Sequence, residues 1–283
     1  SVAELGAWGV QYWFYQYLAY HSPAAFLRSQ EVQMNKDIGY LRNPHLDGSP
    51  FFWPRKDVAI LCIHGFTATT VEVRKIAAFL SEQGFTTRGP LLPGHGTNAV
   101  EMNKTTWKNW LSTAENALLE LMRDYKKVFV LGESMGGLLA LHLAAKYPSL
   151  LGAMVFAPAI KIKNLWLSKL IWRFKPLLQK GKPDPTIPQQ SYNAFPVQAG
   201  ASLFDLQRLV KKELGQISIP VIIFQGKNDD TVDPMGAVYA YENIMSEDKD
   251  FVLLEESAHI ILLDKQLPAV QDICHEFIIS RVT

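Results

Sequence analysis

From residue 57 onward the chain alternates short, almost continuously apolar runs with longer segments whose apolar positions recur at helical spacing. The runs at 58–63, 128–131, 153–156, 221–224 and 251–254 are built from Val, Ile, Leu, Phe, Ala, Met and Cys. A strand that is apolar on both faces is what a parallel sheet covered by helices requires. Between these runs, 71–82, 106–125, 135–146, 235–245 and 269–279 read as helices with one apolar face or none that is polar throughout. Strand and helix in regular alternation predict an α/β fold, with a mostly parallel central sheet and helices on both faces.

One interval breaks the rhythm. From 161 to 219 the alternation gives way to a basic and aromatic stretch and then to Pro183, Pro185 and Pro188, which reads as an insertion. Within it, 165–178 carries Trp166, Leu167, Leu170, Ile171, Phe174 and Leu178 among Lys169, Arg173 and Lys175, the pattern of an amphipathic helix. A second helix-like run follows at 203–214. The expected organisation is therefore an aromatic-rich extension at 1–49, a first core part at 50–160, a cap at 161–219 and a second core part at 220–283. The cap would emerge above the sheet edge at which the strands end. There Trp166 and Ile171, with Ile260 from the second core part, are the candidate substrate-binding side chains.

Composition narrows the function classes. In 283 residues, 28 Lys and Arg stand against 27 Asp and Glu, so the chain has no field to hold a polyanion, and nucleic acid is set aside as a partner. Hydrophobic residues make up 48% and charged residues 19%, the balance of a folded globular enzyme. Two cysteines, Cys62 and Cys274, are too few for a disulfide framework and read as core thiols. No metal-ligand spacing, phosphate loop or dinucleotide fingerprint is present, so neither a metal nor another cofactor is expected. Residues 5–27 contain no Asp, Glu, Lys or Arg and are crowded with Trp and Tyr. Gln11, Gln16, His21 and Pro23 interrupt that stretch, so it is not a clear membrane span. Two readings stay open: an aromatic helix packed on the domain, or an interfacial segment giving peripheral membrane contact, in which the cap would share. The expected location is accordingly cytoplasmic or peripheral to a membrane.

The chemistry is concentrated in Gly132-Glu133-Ser134-Met135-Gly136, directly after an apolar run and directly before a helix. A serine at so tight a strand-to-helix turn leaves no room for side chains at the flanking glycines. The turn also aims the Met135 N–H, at a helix start, toward developing negative charge. Serine is a weak nucleophile without a base, and the base needs a carboxylate to fix its tautomer. Two later strand ends supply candidates: Asp229, Asp230 and Asp233 after 221–224, and His259 after 251–254. Spacing does not choose among the three aspartates. His64-Gly65-Phe66 follows the first core strand, where its glycine lets the Phe66 N–H become a second oxyanion donor. His64 itself reads as a loop-shaping hydrogen-bonder. His95, in Pro93-Gly94-His95-Gly96, reads as part of a rigid turn, with substrate contact as the alternative.

The segments 59–67, 93–96, 132–137, 226–229 and 257–259 together resemble the carboxylesterase and monoacylglycerol lipase branch of the α/β-hydrolases, over roughly residues 50–282. The resemblance implies the α/β-hydrolase fold with an inserted helical cap, and places the acid of Gly-x-x-Asp on Asp229. It implies a serine carboxylic ester hydrolase acting through an acyl-enzyme, on monoglycerides or short-to-medium-chain acyl esters. Lactonase, thioesterase, acyltransferase or peptidase chemistry would use the same residues, and a non-catalytic binding module is the alternative from another class.

Overall fold

The computed structural model describes residues 39–181 and 184–282. The aromatic segment 5–27, and with it the question of its membrane contact, lies outside them. The central sheet has seven strands: β1 (Phe51–Trp53), β2 (Lys56–Ile63), β3 (Phe85–Gly89), β4 (Lys127–Glu133), β5 (Gly152–Phe156), β8 (Val221–Gly226) and β9 (Lys249–Leu254). They lie in the order β1-β3-β2-β4-β5-β8-β9. Only β1 runs antiparallel, against β3; the other neighbours are parallel. The helices between and around these strands are α1 (Val71–Glu82), α2 (Ala99–Met102), α3 (Trp107–Asp124), α4 (Met135–Lys146), α5 (Ser168–Ile171), α6 (Val197–Glu213), α7 (Met235–Asn243) and α8 (Leu267–Val282).

The apolar runs became the buried centre of the sheet. Ile60, Leu61, Ile63, Phe129, Phe156 and Phe224 are fully buried, and the last two stack at 4.7 Å between centroids. Two sheet strands escaped the apolar-run criterion. β3 reads Phe-Thr-Thr-Arg-Gly; its threonines are β-branched and suit a strand, and Thr86 and Thr87 are completely buried although polar. β1 is only three residues long, an edge strand too short to show periodicity.

Between Phe156 and Val221 the structure departs from the helix expected at 165–178. A 3-10 turn (Leu165–Leu167) runs into the single-turn α5, and the chain then forms a two-stranded antiparallel ribbon of β6 (Leu177–Gln179) and β7 (Ala194–Pro196). Pro176 explains the stop, because a proline pushes its predecessor out of the helical region. Leu177 and Leu178 therefore serve the ribbon, while Trp166, Leu170 and Phe174 remain 51%, 61% and 85% exposed. The later helix, α6, starts six residues before its expected position. Its first turns hold Ala199, Gly200 and Ala201, small residues that carry little periodic signal; a Cβ on Gly200 would stand 2.5 Å from the Phe195 ring.

The stretch 189–193 ties three distant parts of the chain together. Leu41 bridges to Tyr192, and Ala68 bridges to Ser191. The Arg42 N–H donates to Ser191 O at 2.9 Å, and the Tyr192 N–H donates to Thr67 O at 3.1 Å. Gln190 is buried; its Nε2 donates to Asn43 O and Leu46 O at 2.9 and 2.8 Å, while its Oε1 accepts from Thr69 Oγ1 at 2.8 Å. Among the described residues no helix is long and apolar enough to cross a membrane.

Candidate active site

β4 ends and α4 begins at Ser134, whose backbone sits at φ 56°, ψ −113°, a region that ordinary side chains occupy only under strain. The Ser134 N–H donates to Phe156 O at 2.8 Å and its carbonyl accepts from Ala159 N–H at 3.1 Å, so β5 and the chain after it hold the turn. The flanking glycines are obligatory on sterics alone. A Cβ on Gly132 would lie 2.1 Å from Gly136 O, and one on Gly136 would lie 2.1 Å from Ile63 O.

The loops after β8 and β9 bring the two partners to this turn. His259 Nε2 is 3.0 Å from Ser134 Oγ, and His259 Nδ1 is 2.8 Å from Asp229 Oδ2. Of the three aspartates left open by spacing, Asp229 is the one that reaches the ring. Its Oδ1 accepts the Thr231 and Val232 N–H groups, each at 2.9 Å, and Gln225 Nε2 donates to its Oδ2 at 3.1 Å. Asp230 points to solvent, and Asp233 pairs with Lys161 at 2.6 Å. Burial pushes the Asp229 carboxyl up, but the hydrogen bond and positive charge of His259 outweigh it and hold the group below the ordinary aspartate value. An ionised Asp229 keeps the proton of His259 on Nδ1 and leaves Nε2 facing the serine.

The loop after β2 faces the same turn. No acceptor among the described residues takes the Phe66 or Met135 N–H. The Phe66 ring packs on Trp110 and Phe195, with centroids 5.8 and 5.3 Å away. His64 Nδ1–H donates to Gly65 O at 3.0 Å, and its Nε2 accepts the Leu92 N–H at 3.1 Å. Burial lowers its pKa to about 4, so the ring stays neutral and serves as a brace between two loops. His95 is likewise buried, with Nδ1 3.1 Å from Pro93 O, and lies edge-on to His64 at 4.8 Å.

The candidate substrate contacts are more scattered. Ile260 follows His259 and is half-buried, whereas Trp166 is half exposed and Ile171 ends the short α5. Among the described residues no hydrogen bond or ring contact joins Trp166 or Ile171 to Ser134, Asp229 or His259. Sequence reasoning overlooked two acids. Glu72 of α1 and Glu133 of β4 are both buried; Glu72 Oε2 accepts the Gly65 N–H, and Glu133 Oε1 accepts the Leu262 N–H at 3.2 Å. Their signal was a carboxylate placed inside an otherwise apolar helix face and an otherwise apolar strand end. Among the described residues no group of acidic, His and Cys side chains is arranged to hold a metal ion.

Comparison with known proteins agrees with this geometry. The chain is 31% identical over 242 residues to the thermostable monoacylglycerol lipase of Bacillus sp. (strain H-257), covering 83% of this chain and 96% of that protein. It is 27% identical over 235 residues to a carboxylesterase of Bacillus subtilis (strain 168), covering 81% and 95%. A solved structure from work on two metagenome-derived lipolytic enzymes superposes with a TM-score of 0.80 at 26% identity, over 83% of this chain and 99% of that one. The monoacylglycerol lipase of Paleococcus ferrophilus shares the fold at a TM-score of 0.70 and 21% identity, over 83% and 100%. Residues 54–195 and 184–266 match the family described as Serine aminopeptidase, S33. With its parallel sheet, its strained serine turn and these matches over most of its length, the chain belongs to the Serine aminopeptidase, S33 family and has the α/β-hydrolase fold.

Proposed function

We propose that this protein hydrolyses carboxylic esters, monoglycerides or short-to-medium-chain acyl esters among them, with Ser134 as nucleophile, His259 as general base and Asp229 orienting that base. The observation that carries the reading is the hydrogen-bonded line from Asp229 Oδ2 through His259 to Ser134 Oγ, at 2.8 and 3.0 Å. As Ser134 Oγ attacks the ester carbonyl, its proton passes to His259 Nε2, and the Phe66 and Met135 N–H groups receive the oxyanion. The imidazolium returns that proton to the leaving alcohol, giving an acyl-Ser134 ester. Water, deprotonated by His259, then cleaves the acyl-enzyme and frees the carboxylic acid. The names of the relatives matched along most of their length support an ester substrate. The family description names an aminopeptidase, and the same steps with an amine as leaving group describe that second reading.

The test combines labelling and turnover. A fluorophosphonate should modify Ser134 and no other serine, located by peptide mass spectrometry. The labelled protein should lose turnover of p-nitrophenyl esters and monoglycerides. Modification elsewhere would sink the nucleophile assignment, and faster turnover of aminoacyl amides than of esters would move the protein to the peptidase reading.

A further inference from the structure

The triad does not use Glu72, yet this buried acid stands between three parts of the site. Its Oε2 accepts the Gly65 N–H, one residue before the oxyanion-loop donor Phe66. A Cβ built on Gly65 would lie 2.8 Å from that same oxygen and 3.3 Å from Ser134 Cβ. The carboxylate therefore sits about one side chain's width from the serine, behind the peptide that aims the Phe66 N–H. Its other oxygen, Oε1, accepts Gln189 Nε2 at 3.1 Å, from the stretch that also bridges to Ala68 and bonds Thr67.

We propose that Glu72 is a positioning residue of the hydrolytic site: it clamps the Gly65 peptide so that the Phe66 N–H meets the oxyanion. Gln189 makes the clamp dependent on the chain between β6 and β7. The inference rests on the roles proposed above for Ser134 and His259.

Charged groups surround Glu72: His259, Lys180 and Glu133 all act on it. Burial raises the Glu72 carboxyl above the ordinary glutamate value, against the Gly65 N–H, His259, Gln189 and Lys180, which each pull it down. Lys180, hydrogen-bonded to Thr67 Oγ1, also faces Arg42 and His95. Burial, Glu72 and Asp264 push the Glu133 carboxyl well above the usual range. His259 is faced on its other ring nitrogen by Asp229.

Two substitutions in the full chain test the clamp. Glu72→Gln keeps the size and an acceptor for Gly65, so it should hold kcat on p-nitrophenyl butyrate within about threefold of wild type. Glu72→Asp keeps the charge but shortens the reach to Gly65. It should lower kcat on the same ester by about tenfold or more, with KM within about threefold, as expected when reacting groups are misplaced by less than an ångström. Wild-type kcat in Glu72→Asp, or a kcat loss in a folded Glu72→Gln as large as that in Glu72→Asp, would overturn the proposal; if Glu72→Gln does not fold, the kcat of Glu72→Asp decides alone. Ser134→Ala is measured alongside: turnover surviving in that variant would refute the nucleophile assignment, a failure distinct from that of the Glu72 clamp.

Discussion

At Ser134 a backbone conformation costing on the order of 1–3 kcal/mol is held by glycines, by Phe156 O and by the Ala159 N–H, so the side chain contributes little to the fold that surrounds it. Ser134→Ala should accordingly keep the melting temperature and lose about four orders of magnitude in kcat. The aspartates separate just as sharply. Asp229→Asn should cost about as much, since an amide facing His259 Nδ1 favours the wrong tautomer. Asp230→Asn, altering an exposed group, should change kcat less than about threefold. Comparable losses in the two asparagine variants would remove Asp229 from its role. The serine and the histidine were legible in the sequence because strand ends and a Gly-x-Ser-x-Gly turn announce them. The choice of Asp229 needed a family resemblance, because the loop geometry that turns Asp230 outward is set by the N–H groups of Thr231 and Val232. Glu72 stayed hidden: its partner, Gly65, lies seven residues back, and no local pattern marks an acid that folds onto a preceding loop.

The unit of strand, turn and helix formed by β4, Ser134 and α4 works only while its backbone can touch that of β2. Gly136→Ala should prevent this, because the new Cβ would stand 2.1 Å from Ile63 O and cannot be relieved by a side-chain rotation. A loss of at least about 2 kcal/mol in urea unfolding is expected, with kcat falling alongside it. A variant of unchanged stability would mean that the turn can yield enough to take the extra methyl. The element at 165–171 poses a different question. Leu165 is buried, but Trp166 and Leu170 are exposed rather than spent on the core, so Trp166→Ser should leave the melting temperature nearly unchanged. If this turn roofs the acyl site, the variant should also prefer shorter esters, losing up to about 0.8 kcal/mol per methylene no longer covered. Butyrate turnover should stay within about tenfold. An unaltered chain-length profile would take Trp166 out of substrate binding. Sequence periodicity overextended this helix because it counts apolar positions without weighing Pro176, and it missed β3 because buried threonines do not look apolar.

Across the whole molecule the parallel core was readable, since doubly covered strands must be apolar, whereas the joins between distant segments were not. Gln190, for example, reads as one more polar loop residue until its side chain is seen bonded to Asn43, Leu46 and Thr69. Global stability carries the mark of another such residue. Because Glu133 holds its proton more tightly folded than unfolded, the folded state binds the extra proton between the two values. The stabilisation is complete below the unfolded glutamate value, about 4.3, and is lost as pH rises toward the raised folded one. Glu133→Gln, which keeps an acceptor for the Leu262 N–H, should flatten that decline between pH 5 and 8 and be the more stable protein at the upper end. Urea midpoints measured across that range decide it, and parallel curves for the two proteins would contradict the sign. The seam of Leu41, Tyr192, Ser191 and Ala68 has a mechanical consequence. A load applied to the chain at Gly39, by a surface tether or a fused partner, reaches Asn193 through the Gly39 N–H and Tyr40 O, and then Ser191 and Tyr192 through the Arg42 and Leu41 rungs, before it reaches any strand of the central sheet. From there one further rung transmits it to Thr67, so tension applied at Gly39 would be felt first as a displaced Phe66–Thr67 segment and only later as unfolding.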